Sequence, residues 1–352
     1  MPVDLPKHGM AARLAEPGGP FRLEDVSLPE LQPGEALLKV EACTICASDL
    51  RTFRGERAAP SSGLLGHEIF GRVVAGEGEG FAIGDRVVCG VAASCGACRN
   101  CMRGIPQKCL SLKKLGHAPA DDRWQLSGGF AEYCHLPVGS ALVPAPESCT
   151  PQQSAWLGCA GATAAAATRV AGDLQDRNVV VLGTGAVGLF VVALATQAGA
   201  RVLAVDPQGN RLKLAQQAGA AETHIVSGDS TRDFVMSNTE ARGADVVFET
   251  SGVNSSVSLS TTLAGIGGRV ILAGSVAPTE PVPIQPEKIV TSLLRIEGIH
   301  NYTPADLARA VDFASLPGIN QFPVFPLTEI DTAFEAAQSG EHLRVAVLPG
   351  NH

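Results

Sequence analysis

The chain has 352 residues, more than one hydrophobic core usually supports, so two domains are expected. Its 27 basic against 35 acidic residues leave a formal charge of −8. No basic cluster is dense enough to neutralise a row of phosphates, which sets nucleic acid aside as a partner.

The first residues, Met1 to Met10, hold Asp4, Lys7 and two prolines but no apolar h-region. They do not read as a secretory signal, and a cytoplasmic protein is expected. In that reducing compartment ten cysteines point to metal rather than to disulfides. From Phe21 to Val143 short alternating or β-branched runs are cut by Gly and Pro: Ala36–Val40, Gly71–Val74, Arg86–Val88 and Ala131–Leu136. This pattern predicts a twisted, mostly antiparallel β domain. Two of its segments carry candidate ligands, Cys43-Thr44-Ile45-Cys46-Ala47-Ser48-Asp49 and Gly66-His67-Glu68-Ile69-Phe70-Gly71. Taken singly these signals are modest, because a lone His is more often a core or surface residue and a free Cys is commonly a small buried hydrophobe.

The next signal stands by itself. Cys95, Cys98, Cys101 and Cys109, spaced by two, two and seven residues, lie in a loop containing Gly and Arg, where four thiolates can close around one tetrahedral ion. Four sulfurs leave no position open for a substrate, so the expected role is structural. Tight cysteine runs also hold iron–sulfur clusters, but the seven-residue last gap and the lack of a proline after Cys109 favour zinc. Further on, Cys159 in Trp156-Leu157-Gly158-Cys159-Ala160 is another candidate ligand.

From about Ala160 the texture changes. The Ala run at 164–167 reads as plain helix. Apolar β-branched runs then alternate with helical stretches: Val179–Leu182, Arg201–Val205, Thr223–Val226, Ala244–Phe248, Arg269–Ala273 and Arg295–Ile299. Six strands with helical crossovers predict a doubly wound parallel sheet. The stretch Val179–Ala200 carries no charge and is apolar enough to suggest a membrane span, but Gly183, Gly185 and Gly188 make it a strand, a tight turn and a helix. That turn, Gly183-Thr184-Gly185-Ala186-Val187-Gly188, is answered eighteen residues later by Asp206 at the end of the next strand. Glycines let the backbone turn and approach a pyrophosphate, the helix N-terminus supplies donors, and the acid takes ribose hydroxyls, so a dinucleotide site is expected. A carboxylate at Asp206 repels the extra phosphate of NADP and favours NAD. Arg211 either reaches the adenosine ribose or is a solvated helix cation. From about Tyr302 the character is mixed, with a helix at Ala305–Phe313, prolines at 317, 323 and 326, and a final strand Leu343–Leu348. The expected domains are residues 1–159, to which 303–352 return, and residues 160–302.

The chain resembles the medium-chain dehydrogenase/reductase superfamily, specifically its zinc-containing alcohol dehydrogenases. The resemblance covers nearly the whole length and rests on Cys46-Ala47-Ser48-Asp49, Gly66-His67-Glu68, Gly84-Asp85-Arg86-Val87-Val88, the four-cysteine loop, the glycine turn and the late Arg344, in that order. It implies a GroES-like catalytic domain, a Rossmann domain, and a zinc- and NAD-dependent enzyme that interconverts an alcohol with an aldehyde or ketone. It also implies one catalytic and one structural zinc ion per chain. Carried over by position, Cys46, His67 and Cys159 match the catalytic zinc ligands, and Glu68 matches a residue that approaches the metal from behind and competes with Cys159 for the last place. Asp49 matches the acid that orients the His ligand, and Ser48 the hydroxyl that takes the alcohol proton. Arg344 matches a basic residue near the pyrophosphate, its other reading being an edge-strand cation. Cys43, Cys89, Cys134 and Cys149 match nothing and are expected in the core.

There are departures. Where many family members place a proton-relaying His three residues after Ser48, this chain has Arg51, whose guanidinium cannot lose a proton in this pH range. Arg51 holds either cofactor phosphates or an anionic substrate, or is solvated. The hairpin through Val73-Val74-Ala75-Gly76-Glu77-Gly78 is also shorter than usual. A finer similarity, through Gly104-Ile105-Pro106-Gln107-Lys108-Cys109, Lys114-Leu115-Gly116-His117, Ser127–Glu132 and His300-Asn301-Tyr302, is to a branch associated with phosphonate catabolism. It implies a phosphonate alcohol such as 2-hydroxyethylphosphonate, met by Arg51 or His300. The same branch is close to dehydrogenases of bulky secondary alcohols, including hydroxylated terpenoids, which a pocket of Trp156, Leu157 and Phe53 would favour. Polyols are a further alternative. A zinc-free enone or quinone reductase fits the ligands poorly, and so does a non-enzymatic NAD- or zinc-binding protein. The resemblance implies a small-molecule substrate, no membrane partner, and a homodimer or homotetramer built through the nucleotide domain.

Overall fold

The structure, a computed structural model, describes residues 5–76, 80–119, 121–147, 149–276, 280–313 and 322–350. Glu77, Gly78 and Pro317 lie outside them. The described residues divide into two compact units, one of 5–159 with 303–313 and 322–350, the other of 160–302.

The first unit is built on antiparallel pairing. Strand Ala36–Thr44 pairs with Glu68–Gly76, which pairs with Arg86–Ala93. Alternation of large apolar residues along these strands buries one face after another, leaving Leu37, Leu38, Ile69, Val73 and Val87 almost fully excluded from water. The register decides which segments meet at the end of the sheet. Thr44 stands opposite Glu68, and on the other side of the same strand it stands opposite Ala346. Three chain segments, those carrying Cys46, His67 and Arg344, therefore reach that end together.

Four phenylalanines of this unit pack on one another. Phe21 stacks on Phe53 at 5.9 Å, and Phe334 meets Phe21, Phe53 and Phe130 at 4.7, 5.2 and 5.5 Å. Phe53 is partly buried and packs against this core. Trp156 and Leu157 are likewise buried, Trp156 edge-on to Phe322 at 4.9 Å. Cys43, Cys89, Cys134 and Cys149 are all buried, and burial raises the thiols of the first three, Cys134 to about 12. The last strand is shorter than its sequence pattern suggests. It starts at Ala346 rather than Leu343, and Arg344, two residues ahead of it, turns its side chain toward Glu68.

The second unit is a six-stranded parallel sheet. Its order is Glu222–Ile225, Arg201–Asp206, Asn178–Leu182, Ala244–Glu249, Ala264–Leu272, Arg295–Gly298. The order reverses beside Asn178–Leu182, the switch point where doubly wound sheets take ligands. The helix Ala186–Gln197 that comes after it has 12 residues. None of the helices among the described residues is long and apolar enough to cross a membrane.

Removing the Phe334 ring leaves a cavity that three other rings line. Phe334→Ala should cost about 3–5 kcal/mol of stability by denaturant unfolding, and a loss below about 1 kcal/mol would contradict the packing described.

Candidate metal centres and cofactor turn

Cys46 follows the central strand directly and opens the helix Ala47–Phe53. His67 immediately precedes the neighbouring strand, so the antiparallel register sets the two side by side. Cys159 ends the short buried turn Trp156–Gly158, its amide donating to the Trp156 carbonyl at 3.2 Å. One ligand atom each from Cys46, His67, Glu68 and Cys159 lie within 4.8 Å of one another.

Asp49 binds the first two segments together. Its side chain is fully buried. One oxygen accepts the Cys46 amide at 2.9 Å, and the other accepts the Gly66 amide at 3.3 Å while standing 3.3 Å from His67 Nδ1. The other ring nitrogen, Nε2, lies 3.4 Å from Ser48 Oγ. The Asp49 carboxylate beside Nδ1 favours a ring orientation that leaves Nε2 as the ligating atom. Burial alone would discharge this ring, but the charge and contact of Asp49, together with Cys46, hold its pKa up at about 10.

Glu68 has both oxygens engaged. Thr44 Oγ1 donates to Oε2 at 2.5 Å, and Arg344 grips the carboxylate with Nε at 3.0 Å and Nη2 at 2.9 Å. Burial raises the Glu68 pKa to about 7 against the pull of Arg344. The same Nη2 lies 3.8 Å from Cys46 Sγ. Cys46 is the more acidic sulfur of its pair, since it accepts from Cys159 and has the charges of Arg344 and His67 beside it. Cys159 holds its proton correspondingly tighter. A tetrahedral zinc ion, with bonds of about 2.3 Å to sulfur and about 2.0–2.1 Å to nitrogen, needs donors about 3.3–3.8 Å apart. Two sulfurs and an imidazole nitrogen in a cluster of this size fit that ion.

The four-cysteine loop fits one ion as well. Sulfur separations are 3.5 Å for Cys98–Cys101, 3.9 Å for Cys98–Cys109 and 3.4 Å for Cys95–Cys109, near the edge of about 3.8 Å that a tetrahedral zinc thiolate site has. Sulfurs this close leave no room for a cluster of four irons. Backbone amides point at them, from Cys95 to Cys109 Sγ at 3.3 Å, from Cys98 to Cys95 Sγ at 3.3 Å and from Leu110 to Cys98 Sγ at 3.5 Å. Amides of Cys101 and Leu110 hold the Cys98 thiol down at about 6.

In the parallel unit, Gly183–Gly188 links strand to helix. A β-carbon on Gly188 would lie 1.9 Å from the Gly183 carbonyl, so only glycine allows the helix to start this close to the strand. Beside Gly185, which caps the helix, there is open space. Ala186 is buried and Val187 partly so. Asp206 is buried, accepting the Thr184 amide at 2.7 Å and the Gln208 amide at 2.9 Å. It thus ties the glycine turn to the next strand. Arg211 is partly buried and has no ion pair among the described residues.

Several residues here carry no sequence signal strong enough to single them out. Thr250 donates to the Gly183 carbonyl at 2.6 Å, and the fully buried Glu249 holds the Ser251 and Gly252 amides, each at 2.9 Å. An acid closing the strand Ala244–Glu249, as Asp206 closes Arg201–Asp206, was the available signal. His117 lies with its ring 4.5 Å from that of His67; only its place in a longer similarity marked it. Arg344 is engaged with Glu68 rather than standing as an edge-strand cation. Arg51 lies on the helix Ala47–Phe53, where after Arg54 it helps hold the Glu56 carboxyl low.

Asp49 supplies a testable consequence. Asp49→Ala should lower zinc affinity about 10–100-fold, measured by chelator competition for the released ion. Unchanged affinity would mean that His67 is oriented by something else.

Two family models match the chain, the alcohol dehydrogenase GroES-like domain over residues 32–147 and the zinc-binding dehydrogenase over residues 186–315. An L-threonine 3-dehydrogenase of Idiomarina loihiensis is 29% identical over 343 residues, 94% of this chain and 96% of that one. Among solved structures, an alcohol dehydrogenase of Thermotoga maritima superposes with a TM-score of 0.90 at 27% identity, covering 97% of this chain and 99% of that one. A protein of Sinorhizobium meliloti 1021 described as a zinc-binding dehydrogenase bound to NADP gives 0.85 at 30% identity, with the same coverage of both chains. With these matches over both of its units, the chain belongs to the zinc-containing alcohol dehydrogenases of the medium-chain dehydrogenase/reductase superfamily.

Proposed function

We propose that this dehydrogenase oxidises a small alcohol to the aldehyde or ketone with NAD, using zinc held by Cys46, His67 and Cys159 and a second, structural zinc held by Cys95, Cys98, Cys101 and Cys109. The observation that carries the reading is the convergence of two sulfurs and an Asp49-oriented imidazole in one cluster. Glu68 stands in the same cluster, but Thr44 and Arg344 already hold both of its oxygens, which favours Cys159 as the third ligand.

When bound, zinc lowers the pKa of an alcohol without redox chemistry of its own, and nicotinamide accepts the hydride. The chain's residues do the rest. Ser48 Oγ, beside His67 Nε2, takes the alcohol proton. Arg51 keeps its own proton, so the onward path runs through water. Asp49 keeps Nε2 aimed at the cluster, and Glu68 with Arg344 closes it from behind as an internally paired couple. In the parallel unit the amides at the start of helix Ala186–Gln197 receive the pyrophosphate, and Asp206 accepts the ribose hydroxyls. Arg211 is the third residue of the helix Gly209–Gln217, which follows Asp206.

The relatives named L-threonine 3-dehydrogenase support a polar alcohol, in line with a phosphonate alcohol such as 2-hydroxyethylphosphonate. The alternative is a bulky secondary alcohol such as a hydroxylated terpenoid, or a polyol. We further propose a cytoplasmic homodimer or homotetramer. Ile266, Val290 and Leu293 are exposed on and beside the strands Ala264–Leu272 and Arg295–Gly298, at the edge of the parallel sheet, and support association there.

Purified enzyme should carry two zinc ions per chain and form NADH from alcohol. Stripping the metal with 1,10-phenanthroline should abolish turnover, and full activity in zinc-free protein would overturn the reading. Asp206→Ala should weaken NAD more than NADP in steady-state kinetics; equal losses for both would remove Asp206 from cofactor choice.

A further inference from the structure

The turn that leaves the strand Asn178–Leu182 is gripped from both sides. That strand lies between Arg201–Asp206 and Ala244–Glu249, and the register sets Leu182 level with Val205 on one side and with Glu249 on the other. One residue further on, Asp206, Gly183 and Thr250 therefore stand in a row across three strand ends. The Gly183 amide donates to the Val205 carbonyl at 2.8 Å, and the Thr250 amide to the Leu182 carbonyl at 2.9 Å.

Side chains take over where this ladder stops. The peptide unit between Gly183 and Thr184 is held at both of its polar ends. Its N–H, on Thr184, donates to the Asp206 carboxylate at 2.7 Å, and its carbonyl, on Gly183, accepts from the Thr250 hydroxyl at 2.6 Å. The two partners belong to strands on opposite sides, so the peptide plane cannot rotate without losing one of them. Gly183 has φ +91°, and a glycine by itself places little restraint on such rotation. The restraint comes from its neighbours.

The same segment closes off two of the three glycines. A β-carbon on Gly183 would lie 2.8 Å from Ser251 Cβ, and one on Gly188 would lie 2.8 Å from Thr250 Oγ1, whereas nothing stands within 4 Å of that position at Gly185. Thr250 is itself firmly placed. Glu249 takes the Ser251 and Gly252 amides, each at 2.9 Å, and its carbonyl accepts the Gly274 amide at 3.0 Å. Gly252 in turn abuts the next strand end, since a β-carbon on it would lie 2.5 Å from the Gly274 carbonyl.

We propose that Thr250 is a positioning residue for the dinucleotide: with Asp206 it clamps the Gly183–Thr184 peptide, and so presets the turn whose open side, at Gly185, receives the pyrophosphate. This rests on the dinucleotide site proposed above and adds a residue that acts on the turn rather than on the cofactor. A glycine turn ordered in advance spares binding the cost of ordering it. Asp206 thereby has two duties, since the carboxylate that accepts ribose hydroxyls also anchors Thr184.

The test uses the zinc-replete full-length enzyme and two probes, NADH followed by its nicotinamide fluorescence and ADP-ribose followed by calorimetry. Both carry the pyrophosphate, and only the first carries nicotinamide. Thr250→Val, which keeps the shape and removes the hydroxyl, should raise Kd for both probes by the same factor, about threefold to tenfold. The fluorescence spectrum of NADH at saturation and the zinc content should stay as in wild type. Thr250→Ser, which keeps the donor, should restore most of the affinity, and Thr250→Ala, which lacks it, should not. The alanine variant also carries the test if the valine variant fails to fold. Kd values within twofold of wild type for the variants lacking the hydroxyl would overturn the clamp, as would a serine variant no better than they are. A loss confined to NADH would also overturn it, by placing Thr250 at the nicotinamide instead of the turn. In each of those cases the dinucleotide site stands. If wild type binds neither NADH nor ADP-ribose, the dinucleotide site itself falls and the clamp falls with it.

Discussion

Thr44 is bracketed by Glu68 on one neighbouring strand and Ala346 on the other, and the geometry of the metal cluster derives from that register. Cys46 leaves the central strand two residues after Thr44, His67 enters the next strand one residue before Glu68, and Arg344 precedes Ala346 by two. A slip of one residue in either pairing would send alternate side chains to the opposite face. Thr44 Oγ1 would then no longer meet Glu68, nor would the Arg344 fork, and a buried carboxylate would be left uncompensated. The large apolar residues of the same strands resist such a slip, since Leu37, Leu38 and Ile69 are buried on both faces and a shift would break their packing. Core packing and site geometry are thus one constraint.

Charge is balanced in pairs throughout the cluster. Asp49 and Glu68 are both fully excluded from water, an expensive placement that only multiple donors make tolerable. Asp49 has two backbone amides and an imidazole, and Glu68 has a hydroxyl and a bidentate guanidinium. These partners come from segments far apart in the chain, so the acids fix the relative positions of the ligands as well as their chemistry.

Legibility in the sequence tracks the range of each interaction. The four-cysteine loop spans Cys95 to Cys109, and its spacing alone describes a tetrahedral site. The glycine turn and Asp206 form one strand–turn–helix–strand unit, and their local order suffices. Cys46, His67 and Cys159 come together only through sheet pairing and a buried turn, so the residues themselves give separate weak signals and the resemblance joins them. The partnership of Arg344 with Glu68, 276 positions apart, could not be read, because only the pairing of both segments with the strand Ala36–Thr44 brings them together. Phe53 packs, partly buried, against Phe21 and Phe334, residues from opposite ends of the chain, a contact its sequence neighbourhood does not announce.

The central claim is that the catalytic ion sits on Cys46, His67 and Cys159, with Glu68 held back by Arg344. Anomalous diffraction recorded above and below the zinc absorption edge, on crystals of the enzyme as purified, tests it directly. The account predicts one zinc peak bonded to the two sulfurs and His67 Nε2, with the Glu68–Arg344 pair intact, and a second within the four-cysteine loop. A first site without zinc, or one in which Glu68 has left Arg344 and replaced Cys159 on the ion, would contradict it.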